Sequence, residues 1–133
     1  MKILVLDGQG GGLGRQLITA LRALDSDVEI TAVGTNSAAT AAMLKAGATQ
    51  GATGENAVVV GCRHADVIAG PLGIVIADAL LGEITPAMAA AVGQSEAARV
   101  LIPVGRCNSM VVGVKDAPML QLCQDAAKLI LSM

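Results

Sequence analysis

The chain has 133 residues, a formal net charge of −2, 15% charged and 53% apolar residues, and no Phe, Tyr or Trp. This length makes one domain with a single core, and a charge content well under the roughly 25% of average globular chains predicts a homo-oligomer with an apolar interface. Without aromatic rings there is no platform for stacked bases, and a net negative chain does not attract a phosphate backbone, so nucleic acid is excluded as a partner.

After Met1-Lys2 the apolar run Ile3–Leu6 is too short for a secretion signal. Val67–Ala77 is broken by Gly70, Pro71 and Gly73, and Ile30–Leu44 by Gly34 and several polar residues, so no membrane partner is expected. These features predict a cytoplasmic protein. Cys62, Cys107 and Cys123 are then reduced thiols, at least two of them in the core. His64 is the only histidine and no ligand cluster joins it, so no metal site is expected.

In chain order, Lys2–Leu6 reads as a buried strand, and Leu13, Leu17, Ile18, Leu21 and Leu24 follow at helical spacing up to Asp25-Ser26-Asp27. Val28–Val33 is a second strand. Gly34-Thr35-Asn36-Ser37 offers N-cap side chains for a helix to Lys45-Ala46, with Gly47 as its stop. Gly47–Gly54 repeats Gly-Ala-Thr and reads as a polar loop, leading into a short element of either type over Glu55–Cys62.

Asp66–Ala69 is a third strand, ended by Gly70-Pro71. Leu72–Leu81 reads as a helix apolar nearly all round, central or in a subunit interface, and Gly82 stops it. Thr85-Pro86 opens another helix to about Gly93. Val100–Val104 and Met110–Val114 are the fourth and fifth strands. The segment Gly105–Ser109 between them is too short for a parallel crossover, which predicts that the last strand is antiparallel. Asp116 caps a closing helix from Ala117 to about Leu131. The expected fold is α/β, a three-layer Rossmann-like sandwich of about five strands, mostly parallel with an antiparallel C-terminal edge strand. Its strand order is 2-1-3-4-5 or 3-2-1-4-5.

The chemistry concentrates in Gly8, Gln9, Gly10, Gly11, Gly12, Leu13, Gly14 and Arg15, between the first strand and first helix. A loop there presents backbone N–H groups to a phosphate. The spacing G-x-G-x-x-G fails because position 13 is Leu13, and the P-loop pattern fails because Arg15-Gln16 replace Lys and Ser/Thr. Gly8-x-x-x-Gly12-Leu13-Gly14 instead resembles the cofactor loop of the short-chain dehydrogenases, which implies NAD or NADP. That likeness stops at about residue 36, and with no tyrosine in the chain the family's hydride-transfer chemistry is excluded.

Where an NAD-binding fold places an acid at the end of the second strand, this chain has Thr35 and Asn36, fit to bond a ribose or a 2′-phosphate but also to cap a helix. Gly70, Pro71 and Gly73, and Arg106 and Asn108, stand at later strand ends, where ligands of open α/β sheets gather. Arg15 is the cation nearest the loop in sequence. Cys107 beside Arg106 reads as a turn cysteine, and Glu55, Asp78 and Glu83 as surface or helix-end charges.

The blocks Asp7–Gly14, Gly34–Asn36, Met43–Ala48, Gly51–Ala57, Gly70–Ile74, Leu81–Pro86 and Arg106–Asn108 resemble a family of small bacterial proteins catalogued as a domain of unknown function. The resemblance covers nearly the whole chain. It implies a single Rossmann-like domain and assigns no catalytic residue. Three functions stay open: a binder of a nucleotide such as NAD(P), a homo-oligomeric or partner-binding module without nucleotide, and an enzyme acting on a phosphorylated metabolite.

Overall fold

The computed structural model describes residues 1–133. Strands β1 (Lys2–Asp7), β2 (Glu29–Gly34), β3 (Gln50–Thr53), β4 (Val67–Pro71) and β5 (Ala98–Ile102) form one sheet in the order β3-β2-β1-β4-β5. Every pairing is parallel. Helices α1 (Gly12–Leu24), α2 (Ser37–Lys45) and α5 (Met119–Leu131) pack on one face, and α3 (Glu55–His64) and α4 (Pro86–Gln94) on the other.

The side-chain alternation of β1 explains the two cores. Ile3 and Val5 face α1 and α5, where they meet Leu17, Ile18, Leu21 and Cys123. Leu4 and Leu6 face the opposite side with Val58, Ile74, Ile84 and Val92. A central strand buried on both faces is what an apolar run such as Ile3–Leu6 provides. Asn36 caps α2 by accepting the Ala39 N–H at 2.9 Å, and Thr85 caps α4 by accepting that of Met88 at 3.2 Å. Gly47 leaves α2 at φ 117°, a left-handed turn that suits glycine. The expectations for α1, α2 and α4 therefore hold, within a few residues at their ends.

The structure corrects three expectations. There is no antiparallel edge strand: residues 103–118 are irregular, and Met110–Val114 pair with nothing. Strand propensity there finds no neighbour, because Pro103 and Gly105 (φ 55°) turn the chain away from β5. The fifth strand is instead β3, within the segment read as a loop. All four of its residues are exposed, and it is held by backbone pairing to β2, so it has no apolar signature.

The second correction concerns Leu72–Leu81, which forms a single 3-10 turn over Leu72–Val75 and then a series of hydrogen-bonded turns. Asp78, Leu80 and Leu81 have φ of 66°, 56° and 57°, which no right-handed helix admits. The third is that α5 starts at Met119, after Pro118, and Asp116 pairs with Arg106 instead of capping it.

The strand order reverses beside β1, since β2 and β3 lie to one side of it and β4 and β5 to the other. The crevice of such a sheet opens between the carboxyl ends of β1 and β4. Gly70 lies at that point, and a Cβ on it would overlap the Leu6 carbonyl oxygen. Gly70→Ala is expected to cost about 3 kcal/mol. In Gly93, by contrast, a Cβ meets nothing within 4 Å, and Gly93→Ala within α4 should gain about 0.5 kcal/mol. Urea denaturation followed by far-ultraviolet circular dichroism measures both.

Candidate functional site

The chain leaves β1 at Asp7 and turns through Gly8–Gly11, the turn closed by the Gly11 N–H on the Gly8 carbonyl at 2.9 Å. Three of its glycines serve the fold. A Cβ on Gly8 would stand 2.7 Å from Thr35 Oγ1, and one on Gly14 2.5 Å from Met43 Sδ. Gly11 starts α1 at φ 73°, and a Cβ there would press on the Ala39 backbone at 2.9 Å. Gly10 and Gly12 differ: their φ is ordinary, and a Cβ on either meets nothing within 4 Å. Their N–H groups have no acceptor in the protein.

Asp7 is 5% exposed and lies under the start of α1. Its Oδ1 accepts the Gly8 N–H at 2.8 Å and its Oδ2 the Gly14 N–H at 2.7 Å. Burial pushes its carboxyl above the ordinary value, the amide donors pull it back, and the like charge of Glu83 adds to the rise.

Glu83, which follows the turns after β4, is the second carboxylate. Its Oε1 accepts three hydrogen bonds: from Thr35 Oγ1 at 2.5 Å, Asn36 Nδ2 at 2.8 Å and the Gln9 N–H at 2.9 Å. The Thr35 hydroxyl and then the Gln9 amide hold this carboxyl below its ordinary value, with Asn36 adding to them. Asn36 Nδ2 also donates to the Gln9 carbonyl at 2.9 Å. The glycine loop, the end of β2 and the turn after β4 thus close on one oxygen. Leu80 lies over the same crevice, 3.0 Å from a Cβ position on Gly8 and 3.7 Å from one on Gly73.

The predicted residues divide accordingly. Gly8 to Gly14, Thr35 and Asn36 come together. Gly70, Pro71 and Gly73 lie buried at the end of β4 on the far side of Leu80, where the space over Gly73 is closed by Cys107 Sγ at 3.3 Å. Leu13 belongs to the core. Arg15 lines a groove between α1 and α5 with Thr19 and Leu120. Arg106 bonds the Pro103 carbonyl and Asp116, each at 3.1 Å, and Asn108 is exposed at φ 59°. The Arg15 N–H donates to the Gly11 carbonyl at 2.8 Å, but none of the three side chains bonds the loop. Thr53 pairs with Thr40, and Glu55 accepts the Thr85 hydroxyl at 2.6 Å.

Sequence reasoning passed over Glu83 as a helix-end charge, because its partners lie about 50 to 75 positions away in the chain. Cys62 and Cys123 are buried, their thiols pushed up to about 11, so both serve packing. A cleft of about 830 Å³ between α3 and α4 is bordered by Asp66 and Ala97, at the amino ends of β4 and β5. It lies at the wrong end of the sheet for a ligand of this fold. No three His, Cys, Asp or Glu gather as a metal site, and no helix is long and apolar enough to cross a membrane.

Fold and loop together define a Rossmann-like α/β domain with a glycine-rich turn at its switch point. The chain belongs to the family described as a domain of unknown function (DUF3842), which matches residues 2–133. No curated protein matches the sequence. A solved structure similar to it is a dodecameric FMN-dependent Ubix-like decarboxylase from Escherichia coli O157:H7, 20% identical, with a TM-score of 0.47 over 99% of this chain and 75% of that one.

The two carboxylates give opposite pH terms. Asp7 is raised in the fold, so its contribution is fully present below its ordinary value of 3.8 and is lost as pH rises through the folded value. Glu83 is lowered, so its contribution is present above 4.5 and is lost as pH falls. The stability of the wild type relative to Asp7→Asn should therefore fall as pH rises from 3.8, while that relative to Glu83→Gln should rise. Denaturation midpoints between about pH 3 and pH 8 check both signs.

Proposed function

We propose that this domain binds a nucleotide, most simply a dinucleotide such as NAD or NADP, with its pyrophosphate on the Gly8–Gly14 loop. The observation that carries the reading is the pair Gly10 and Gly12. The fold itself leaves both positions open to a side chain, and five glycines in one loop cost conformational entropy. A ligand that approaches the bare backbone gives those two glycines a purpose that packing does not. The loop lies at the carboxyl edge beside the switch point, and the start of α1 adds its dipole to the free amides.

The residues present fit such a group in a particular way. Arg106 is paired with Asp116 and the Arg15 side chain makes no bond to the loop, so backbone N–H groups are the principal donors to the phosphates. Thr35, Asn36 and Glu83 gather where the adenosine ribose of a dinucleotide lies in this fold. A smaller phosphorylated metabolite would use the same amides.

A second reading has its own observation. Leu81, Met110 and Val112 are 96%, 94% and 99% exposed. Three large apolar side chains in water suit a homo-oligomer or a partner-binding module. The two readings are compatible, since these residues lie outside the Gly8–Gly14 loop.

The absence of Trp and Tyr lets the ultraviolet spectrum of the washed protein report bound nucleotide directly. A band at about 260 nm that denaturation releases, or binding of added NADH or ADP, is the expected result. Gly12→Asp places a like charge on the loop at a position that favours the helix, so it should fold normally and bind at least about tenfold more weakly. Folded Gly12→Asp with unchanged affinity would overturn the assignment. Gly12→Ala, which the space admits, should keep its thermal stability and still lose affinity.

A further inference from the structure

Dinucleotide-binding folds read the adenosine ribose with a carboxylate at the end of the second strand. Here β2 ends at Gly34, and the residues that follow, Thr35 and Asn36, carry no charge. A carboxylate nevertheless stands there, delivered across the sheet from the turn between β4 and α4. We propose that Glu83 selects the ligand, its Oε2 accepting the 2′,3′-hydroxyls of a ribose and its charge rejecting a ribose that bears a 2′-phosphate. This rests on the nucleotide reading above.

The geometry assigns the two oxygens different tasks. Oε1 is occupied by Gln9, Thr35 and Asn36, which fixes the carboxylate in place before any ligand arrives. Oε2 has no partner in the protein, and it is not among the buried unsatisfied atoms, so it reaches solvent. A free acceptor on a fixed, ionised carboxylate suits a donor such as a sugar hydroxyl, and a charged acceptor makes the stronger bond. The bond to the Gln9 N–H sets that acceptor on the first turn of the glycine loop, beside the open Gly10 and Gly12. In a dinucleotide the ribose adjoins the pyrophosphate, so one ligand spans both places.

The same arrangement argues against a 2′-phosphate. Asp7 lies behind Glu83 as a second acid, Arg106 is paired with Asp116, and no cation is paired with Glu83. A phosphate on the 2′-oxygen would meet Glu83 with no cation to offset it, an example of selectivity by repulsion. Backbone strain at Leu80 and Leu81, both left-handed non-glycine residues, is consistent with a turn held for what it presents.

Calorimetric titration of the full chain with NADH and NADPH tests this. The wild type should bind NADH at least about tenfold more tightly than NADPH, the scale of one charged hydrogen bond. Glu83→Gln keeps an acceptor for Thr35 and Gln9 while removing the charge. It should lose about tenfold for NADH, bind NADPH no worse, and reduce the preference to within about threefold. A wild type without preference, or a preference that survives in Glu83→Gln, overturns the role of Glu83. Binding that Gly12→Asp abolishes but that ignores the 2′-phosphate overturns this inference alone. A wild type that binds neither dinucleotide removes the nucleotide reading and this inference together. The wild-type comparison needs no variant to fold.

Discussion

Asp7 ends the central strand with its carboxylate out of water, one oxygen on the Gly8 N–H and the other on the Gly14 N–H. The first bond sets the direction in which the glycine loop departs, and the second ties the first turn of α1 back to β1. A buried carboxylate without partners would cost several kcal/mol. Here two amides and the positive end of a helix offset that cost in part, and the remainder shows as a raised pKa. The arrangement demands a close approach of helix to strand. Gly14 allows it, because a Cβ there would lie 3.1 Å from the Asp7 Cβ and closer still to Met43. Loop shape, helix position and the absence of a side chain at residue 14 therefore follow from one interaction.

A second acid close to the first restricts what the site can hold. Glu83 raises the cost of ionising Asp7, while Glu83 itself is kept charged by a hydroxyl, an amide side chain and a backbone N–H. No guanidinium balances them. An anion can be held only where backbone amides outnumber nearby carboxylates, which confines it to Gly10–Gly12. Hydroxyl groups are favoured where the Glu83 carboxylate stands. On the proposed reading, the edge of the sheet is divided into a region suited to phosphate and a region suited to sugar.

Much of this was legible in the chain itself. The Ile3–Leu6 run, the helical spacing of Leu13 to Leu21, the caps at Asn36 and Thr85 and the glycine loop each carry a local signal, and each forms as read. The elements misread are those whose cause lies elsewhere. β3 is an edge strand of exposed residues, fixed by its partner β2 and not by a pattern of its own. Met110–Val114 has the propensity of a strand, but the turn at Pro103 and Gly105 carries it away from the open edge of β5. For the site, the glycines marked the loop, and Thr35 and Asn36 marked the end of β2. Glu83 could be placed there only by the turn that brings distant positions together, and the sequence could not show that the Arg15 side chain lines the α1–α5 groove or that Arg106 pairs with Asp116.

That turn explains why an apolar stretch that reads as a helix is not one. A helix over Leu72–Leu81 would rise about 15 Å and carry Glu83 away from β2. The chain instead uses two buried anchors, Ala79 and Ile84, joined by the Ile84 N–H on the Ala79 carbonyl at 3.1 Å and the Asp78 N–H on the Ile84 carbonyl at 2.7 Å. The residues between them must reverse within four positions, which Leu80 and Leu81 accomplish in left-handed backbone and Gly82 at φ 89°. Left-handed leucines are unfavourable and an exposed Leu81 gains nothing from burial. What offsets them lies at the two ends: the apolar burial of Ala79 and Ile84, and the three hydrogen bonds on Glu83. Helix propensity in this segment is outweighed by contacts that only the folded sheet supplies, and the carboxylate at the end of β2 is their product.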